Sequence, residues 1–175
     1  MSKPDKPLGQ IYPASRFGQM LTSLAEKSKI IVEIGTWYGE GSTRSIYRGM
    51  KEPWQEFYSY ETSEEAYRVA YEAYKPDSRV HIVLGAISLE PGMDPALRVD
   101  SKRIPAQIDL LLIDGGPTSG KSDFDRLFSR CTRFIALDDT NEEKNLDNAN
   151  WLRQNWKTVV DVRDERNGWG VWEKR

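Results

Sequence analysis

The stretch from residue 30 to residue 43 constrains the fold more than any other part of the chain. Ile30–Ile34 holds four β-branched apolar residues in five, a pattern typical of a buried strand. Glycines at positions 35, 39 and 41 then predict a tight turn, and Ser42-Thr43 opens a helical pattern. A strand, a glycine turn and a helix N-terminus predict a nucleotide-binding corner, because the turn admits a ligand to the unpaired N–H groups of the helix.

The spacing of the glycines separates this corner from the usual dinucleotide-binding one. The chain has G-x-x-x-G-x-G, whereas G-x-G-x-x-G is the spacing that cradles a dinucleotide pyrophosphate. An acid, Glu33, also stands inside the strand, two positions before Gly35. The pattern therefore argues against a dehydrogenase, which stays as a third alternative.

Val32-Glu33-Ile34-Gly35-Thr36-Trp37-Tyr38-Gly39 resembles the first motif of class I S-adenosylmethionine-dependent methyltransferases, particularly their small O-methyltransferase-like branch. The resemblance runs from about residue 17 to the end of the chain, and it implies that S-adenosylmethionine is the cofactor. It also implies that this corner contributes a set of cofactor-binding residues: Glu33, Gly35, Thr36, Trp37, Gly39, Ser42 and Thr43.

Strand and helix patterns alternate along the rest of the chain. They predict an α/β, Rossmann-like, doubly wound domain over residues 14–175 with a mostly parallel seven-stranded sheet. The Asn167-Gly168 turn predicts a C-terminal antiparallel hairpin, which is the signature topology of the family named above. The further strands are predicted at residues 56–61, 79–87, 108–116, 133–141, 158–163 and 169–173.

The lysines and prolines of residues 1–13 predict a flexible arm, with a flap over the site or a dimer contact as the alternative. Besides one short helix at residues 94–99, four helices are predicted outside the first corner: at about residues 15–28, from residues 62–65 to about 74, and at about 121–130 and 142–156. Thr62 and Glu65 match a capping box for the second of these. Cys131 continues the inward stripe of the third, and Leu146 belongs to that of the fourth.

Acids stand at the ends of three predicted strands: Glu61, Asp114 and the pair Asp138-Asp139. The carboxyl ends of parallel strands meet at one edge of an open sheet, so these acids and the glycine turn should face one site. Glu61 is predicted to accept hydrogen bonds from ribose hydroxyls, since a carboxylate can take both. By the resemblance, Gly85-Ala86 lies on the adenine side of the cofactor.

Methyl transfer from a sulfonium is an in-line displacement that needs an aligned acceptor and often a base or a metal. The resemblance to metal-dependent O-methyltransferases implies that Asp114, Asp138 and Asp139 hold Mg²⁺, with Asp114 and Asp138 catalytic and Asp114 also near the cofactor. Pro117 stands where the family often has His, and Lys121 is further along than its usual lysine. The acids could therefore line the pocket without a metal.

Composition excludes several classes of protein. With 175 residues, a formal net charge of −2 and a pI of about 5.6, the chain offers no large basic surface for nucleic acid. It has no apolar run that would span a membrane, and its one cysteine fits a reducing compartment, so we expect a cytoplasmic protein.

The sequence thus predicts a methyltransferase that acts on a small hydroxylated molecule. A non-catalytic S-adenosylmethionine- or nucleoside-binding module that acts in a complex is the alternative, and a homodimer stays open.

Overall fold

A computed structural model describes residues 10–175. Seven strands form one sheet: β1 (Ile30–Ile34), β2 (Glu56–Glu61), β3 (Val80–Leu84), β4 (Ile108–Ile113), β5 (Cys131–Asp138), β6 (Lys157–Val162) and β7 (Trp169–Glu173). Five α-helices accompany them: α1 (Arg16–Ala25), α2 (Ser42–Gly49), α3 (Glu64–Tyr74), α4 (Gly120–Leu127) and α5 (Glu143–Asn155).

The strand order is β3-β2-β1-β4-β5-β7-β6. Neighbours from β3 to β5 pair in parallel, and β7 runs antiparallel to both β5 and β6. Six strands therefore share one direction, which confirms the predicted doubly wound sheet and its C-terminal hairpin. The chain runs outward from β1 to β3 and then returns to β4, so the strand order reverses between β1 and β4. In an open α/β sheet, this reversal is the place where ligands bind.

Apolar layers cover both faces of the sheet. Successive residues of β1 point to opposite faces, so Ile31 joins the layer beneath α1–α3 while Val32 joins the layer beneath α4 and α5. The apolar run of β4 divides in the same way, with Leu110 in the first layer and Leu111 in the second, and neither is exposed. The continuous apolar pattern of β4 thus reflects burial on both faces.

Local details depart from the sequence predictions in three places. Ser63, rather than Thr62, caps α3 by accepting a hydrogen bond from the backbone N–H of Ala66 at 3.3 Å. Helix α4 ends before Cys131, which instead opens β5 and is fully buried there. Leu146 is 40% exposed. The helices themselves were predicted correctly from the sequence. Tertiary packing determines the residues at which they begin and end and the side chains that they bury.

The predicted arm falls mainly on residues 1–9, which lie outside the described part of the chain. Its last residues pack on α1, and Ile11 is only 2% exposed. Gly18 makes this approach feasible, since a Cβ there would lie 2.1 Å from the carbonyl oxygen of Tyr12. Within residues 10–175, no helix is long and apolar enough to cross a membrane.

The C-terminal hairpin should contribute strongly to stability, because the Trp172 ring of β7 is fully buried and packs over Gly170. We expect Trp172→Ala to lower the free energy of unfolding by about 3–5 kcal/mol, since it leaves a large cavity. Trp54→Ala removes a ring that is 51% exposed and should cost no more than about 0.5 kcal/mol. Urea unfolding measures both, and equal losses would contradict a core role for the hairpin.

Candidate functional site

The glycine turn brings β1 and β4 unusually close where the strand order reverses. Gly35 has φ +97°, and a Cβ there would lie 2.3 Å from the carbonyl oxygen of Asp114. Gly39 has φ +80°, and its carbonyl oxygen accepts a 2.6 Å hydrogen bond from the Tyr74 hydroxyl of α3. These positions require glycine because a side chain would be strained in the backbone and would collide with its neighbours.

Glu61 joins the end of β2 to this turn. Its Oε2 accepts a hydrogen bond from the backbone N–H of Trp37 at 2.6 Å, and its Oε1 accepts from those of Thr62 and Ser63 at 2.8 Å. Trp37 adopts a left-handed φ of 52° in this turn. Three backbone donors thus fix the carboxylate, and of its about four lone-pair sites one, on Oε2, remains for a further donor.

Glu33 lies beneath the turn and is fully buried. Its Oε2 accepts hydrogen bonds from the hydroxyls of Thr43 and Ser59, both at 2.6 Å, whereas Oε1 has no partner within residues 10–175. Burial raises the pKa of Glu33 to about 7, although the neighbouring hydroxyls oppose the shift. Glu33 therefore ties β1 to the start of α2 and to β2, behind the turn.

A cavity of about 520 Å³ opens at the carboxyl edge of the sheet, above β1, β2 and β4. It brings together eight of the predicted site residues: Gly35, Trp37, Glu61, Gly85, Ala86, Asp114, Asp138 and Asp139. The other five lie behind the cavity wall or elsewhere in the turn: Glu33, Thr36, Gly39, Ser42 and Thr43. Their predicted role in cofactor binding stays a prediction, and the contacts described above favour an indirect one for Glu33 and Thr43.

The three aspartates form one cluster at the ends of β4 and β5. Ligand oxygens of Asp114, Asp138 and Asp139 lie within 4.8 Å of one another. Asn145 of α5 ties the two strand ends together, since its Nδ2 donates to the carbonyl oxygens of Asp138 at 2.8 Å and Ile113 at 3.3 Å. The acids at the ends of β4 and β5 therefore lie close together, as their positions in the sequence predict.

Two cations pair with this cluster. The Nζ of Lys144, in the first turn of α5, lies 2.7 Å from Oδ2 of Asp139 and 3.3 Å from Oδ1 of Asp114. Arg166 pairs with Oδ1 of Asp138. Burial raises the pKa of Asp138 to about 6 and that of Asp114 well above its usual range, while Arg166 and Lys144, respectively, oppose these shifts.

This pairing decides whether a divalent cation fits. Carboxylates are suitable ligands for Mg²⁺, their spacing would admit it, and Oδ1 of Asp139 has no partner within residues 10–175. However, Mg²⁺ binds carboxylate oxygens at about 2.1 Å. An ion held by Asp114 and Asp139 would therefore lie beside the ammonium of Lys144, which pairs with both carboxylates. Two positive charges at such a distance repel strongly. The residues as arranged do not fit a divalent cation.

Sequence reasoning missed Asp123 of α4, a carboxyl that lines the cavity and is only 1% exposed. Its Oδ1 has no hydrogen-bond partner within the described chain. Burial raises the pKa of Asp123 to about 6, against the influence of Ser119 and Ser88. Asp123 occupies the inner face of its helix beside Phe124, so an acid at a core position was the available signal.

Lys144, Arg166 and Asn145 were also missed. Lys144 has a sequence signal, because a lysine is unfavourable near a helix N-terminus unless acids face it. Arg166 carries none, since its position in the hairpin loop gives no indication that it reaches Asp138.

The strand order and the cavity above β1, β2 and β4 define the fold of the class I S-adenosylmethionine-dependent methyltransferases. A methyltransferase from Podospora anserina, PaMTH1, solved with S-adenosylhomocysteine (SAH), is similar at a TM-score of 0.68 and 17% identity, over 93% of this chain and 80% of that one. An O-methyltransferase from Bacillus cereus in complex with SAH is similar at 0.69 and 15% identity, over 97% and 84%. A methyltransferase from Geobacter sulfurreducens is similar at 0.66 and 13%, over 93% and 80%.

In sequence, no family model and no curated protein matches the chain. At identities this low, the structural matches establish the fold, and the activity must be argued from the site.

Glu33 should make stability depend on pH. Its folded-state pKa of about 7 exceeds the ordinary 4.5, so the folded protein holds the proton more tightly, and this stabilisation is lost as pH rises through that interval. Relative to Glu33→Gln, which does not titrate, the wild type should lose up to about 3 kcal/mol of unfolding free energy between about pH 5 and pH 8. Urea unfolding across this range measures the difference.

Glu52→Gln, at an exposed position, is the matched control and should follow the wild type at every pH. If the unfolding free energy of Glu33→Gln varied with pH in parallel with that of the wild type, the raised pKa of Glu33 would be contradicted.

Proposed function

We propose that the protein transfers the methyl group of S-adenosylmethionine to a hydroxyl of a small molecule. The observation that carries the proposal is the edge of the cavity, where Glu61, held by three backbone N–H groups, faces the aspartate cluster across the glycine turn. One end can hold a nucleoside and the other can meet an acceptor. The fold shared with SAH-bound methyltransferases supports this choice.

The hydrogen-bonding groups and the aromatic ring that line the cavity indicate how the cofactor would lie in it. The free lone pair on Oε2 of Glu61 accepts from a ribose hydroxyl. The sulfonium lies near the exposed ring of Trp37, whose face attracts cations. The adenine lies toward Gly85-Ala86, and there Asp123 accepts from the exocyclic amino group. This arrangement gives the unpartnered oxygen of Asp123 a donor.

The acceptor lies at the other end of the cavity, against Asp114 and Asp139. As its oxygen attacks the methyl carbon, the C–O bond forms and the S–C bond breaks, and the electron pair of that bond stays on sulfur. The hydroxyl proton passes to the carboxylate cluster, for which Asp114 is the central candidate because it also borders the cofactor end. A cavity of about 520 Å³ that must also hold the cofactor favours a small acceptor. We also propose a cytoplasmic setting, which a chain with a single cysteine fits.

Calorimetric titration with SAH tests the cofactor site. We expect Glu61→Ala to weaken binding about 10- to 100-fold, since hydrogen bonds to a charged group are lost. Glu64→Ala removes a neighbouring exposed carboxylate that pairs with Arg68, and it should bind like the wild type. Absence of SAH and S-adenosylmethionine binding to the wild type would overturn the proposal. Binding without transfer to any hydroxylated acceptor would favour the non-catalytic alternative.

A second ligand tests the role of Asp123. In S-inosylhomocysteine a carbonyl oxygen replaces the amino group of adenine, so it repels a carboxylate rather than donating to it. The wild type should prefer SAH at least about tenfold, and Asp123→Ala should narrow the preference to about threefold or less. Asp125→Ala, on the exposed side of the same helix, should retain the preference. Equal discrimination by both variants would exclude Asp123 from the adenine end.

A further inference from the structure

Lys144 is held more completely than a lysine usually is. Its Nζ lies 2.7 Å from Asp139, 3.3 Å from Asp114 and 3.3 Å from the carbonyl oxygen of Gly115, so each of its three N–H donors has an acceptor. Its side chain is 9% exposed, and the residue does not line the cavity. The ammonium therefore sits behind the carboxylates that face the ligand.

The backbone fixes this position from the other side. Gly120, the first residue of α4, approaches so closely that a Cβ there would lie 2.4 Å from the carbonyl oxygen of Lys144. The buried amide of Asn148, one turn further along α5, donates to the carbonyl oxygen of Gly120 at 3.1 Å. The first turn of α5 is thus anchored against α4, and the lysine can reach the aspartates without displacing the helix.

A positive charge in the first turn of a helix is disfavoured by the helix dipole. The aspartates compensate for this, and in return they receive a permanent positive charge. Arg166 adds a second charge at Asp138. With three carboxylates and two cations, the cluster has a formal charge of −1.

We propose that Lys144 is a built-in cation that takes the place of a divalent metal at Asp114, Asp138 and Asp139. The inference rests on the proposed methyl transfer only for its second part, which concerns the acceptor. A metal would bind a pair of acceptor oxygens and lower the pKa of a hydroxyl. Here the carboxylates of Asp114 and Asp139 remain hydrogen-bond acceptors, and Lys144 orients them from behind.

This arrangement selects a class of acceptor. Hydrogen-bond donors, such as a hydroxyl group or a hydroxyl beside an ammonium, suit a cluster of carboxylates with a residual negative charge. An acceptor molecule with two neighbouring oxygens suited to chelating a metal gains no affinity from them at this cluster. An acceptor that carries its own carboxylate at this end is repelled. Lys144 is a positioning residue in this scheme, because it acts through Asp114 and Asp139.

Titration of the full-length protein with Mn²⁺, followed by calorimetry and electron paramagnetic resonance, tests the first part. The wild type should show no Mn²⁺ site that depends on Asp139. Lys144→Met retains the length of the side chain without its charge, and it should gain one Mn²⁺ site at least about tenfold tighter than any in the wild type. Adding Asp139→Asn to that variant should remove the site.

Lys121→Met is the matched control, since Lys121 is an exposed lysine that pairs with Asp125 on α4. It should behave like the wild type. A wild-type Mn²⁺ site that Asp139→Asn abolishes would overturn the proposal, and so would a folded Lys144→Met variant that gains no site. If Lys144→Met does not fold, Lys144→Gln and the wild-type titration decide the matter in the same way.

The same samples separate this inference from the proposed function. SAH binding should be unchanged by Mn²⁺ and by chelator in the wild type. Loss of SAH binding would overturn the proposed methyl transfer and leave the Mn²⁺ result for the cluster standing. If the wild type binds SAH and also has an Mn²⁺ site that depends on Asp139, the role proposed for Lys144 is overturned and the proposed methyl transfer stands. Transfer to a hydroxylated acceptor should continue in chelator, and acceptors bearing a carboxylate should react at least about tenfold more slowly.

Discussion

The close approach of β1 and β4 at Gly35 is the constraint on which the site depends. A backbone without a Cβ lets the turn lie against the carbonyl group of Asp114, and the two central strands end side by side. The nucleoside end and the aspartate cluster consequently share one cavity. Any larger residue at position 35 would separate them, since it would also be strained at φ +97°. The geometry of the ligand site is thus set by backbone packing before any polar side chain contributes.

The protein accommodates its buried carboxyl groups in two ways. Glu33 and Asp123 each keep one oxygen without a partner within residues 10–175, and burial favours their protonated forms. The aspartates at the ends of β4 and β5 instead receive Lys144 and Arg166. Desolvated carboxylates are expensive unless they are neutralised or paired. The first solution suits a support or a hydrogen-bond partner. In the second, Lys144 and Arg166 oppose the rise in pKa that burial causes in Asp114 and Asp138.

The sequence predicts the architecture well because the signals are local and repeated. The apolar run of β4 and the Asn167-Gly168 turn each act over a few residues, and both predictions are confirmed. The gathering of strand-end acids follows from the rules of parallel sheets, and it is confirmed as geometry. The predicted end of α4 was wrong because β5 begins at Cys131. The predicted capping residue of α3 was wrong because the backbone beside Glu61 is held by hydrogen bonds to its carboxylate, and Ser63 takes the capping position. Such contacts cross between elements and leave no periodic trace.

The charge state of the aspartate cluster illustrates the same limit at the site itself. Three acids at two strand ends are visible in the sequence, and by themselves they resemble a set of metal ligands. Whether they can hold a metal depends on a lysine five residues beyond Asp139, whose direction is fixed by the contact between α4 and α5. A side chain that could have pointed into solvent instead completes the cluster. Motifs of acids alone therefore underdetermine metal use, because the deciding group is a cation that tertiary packing brings to them.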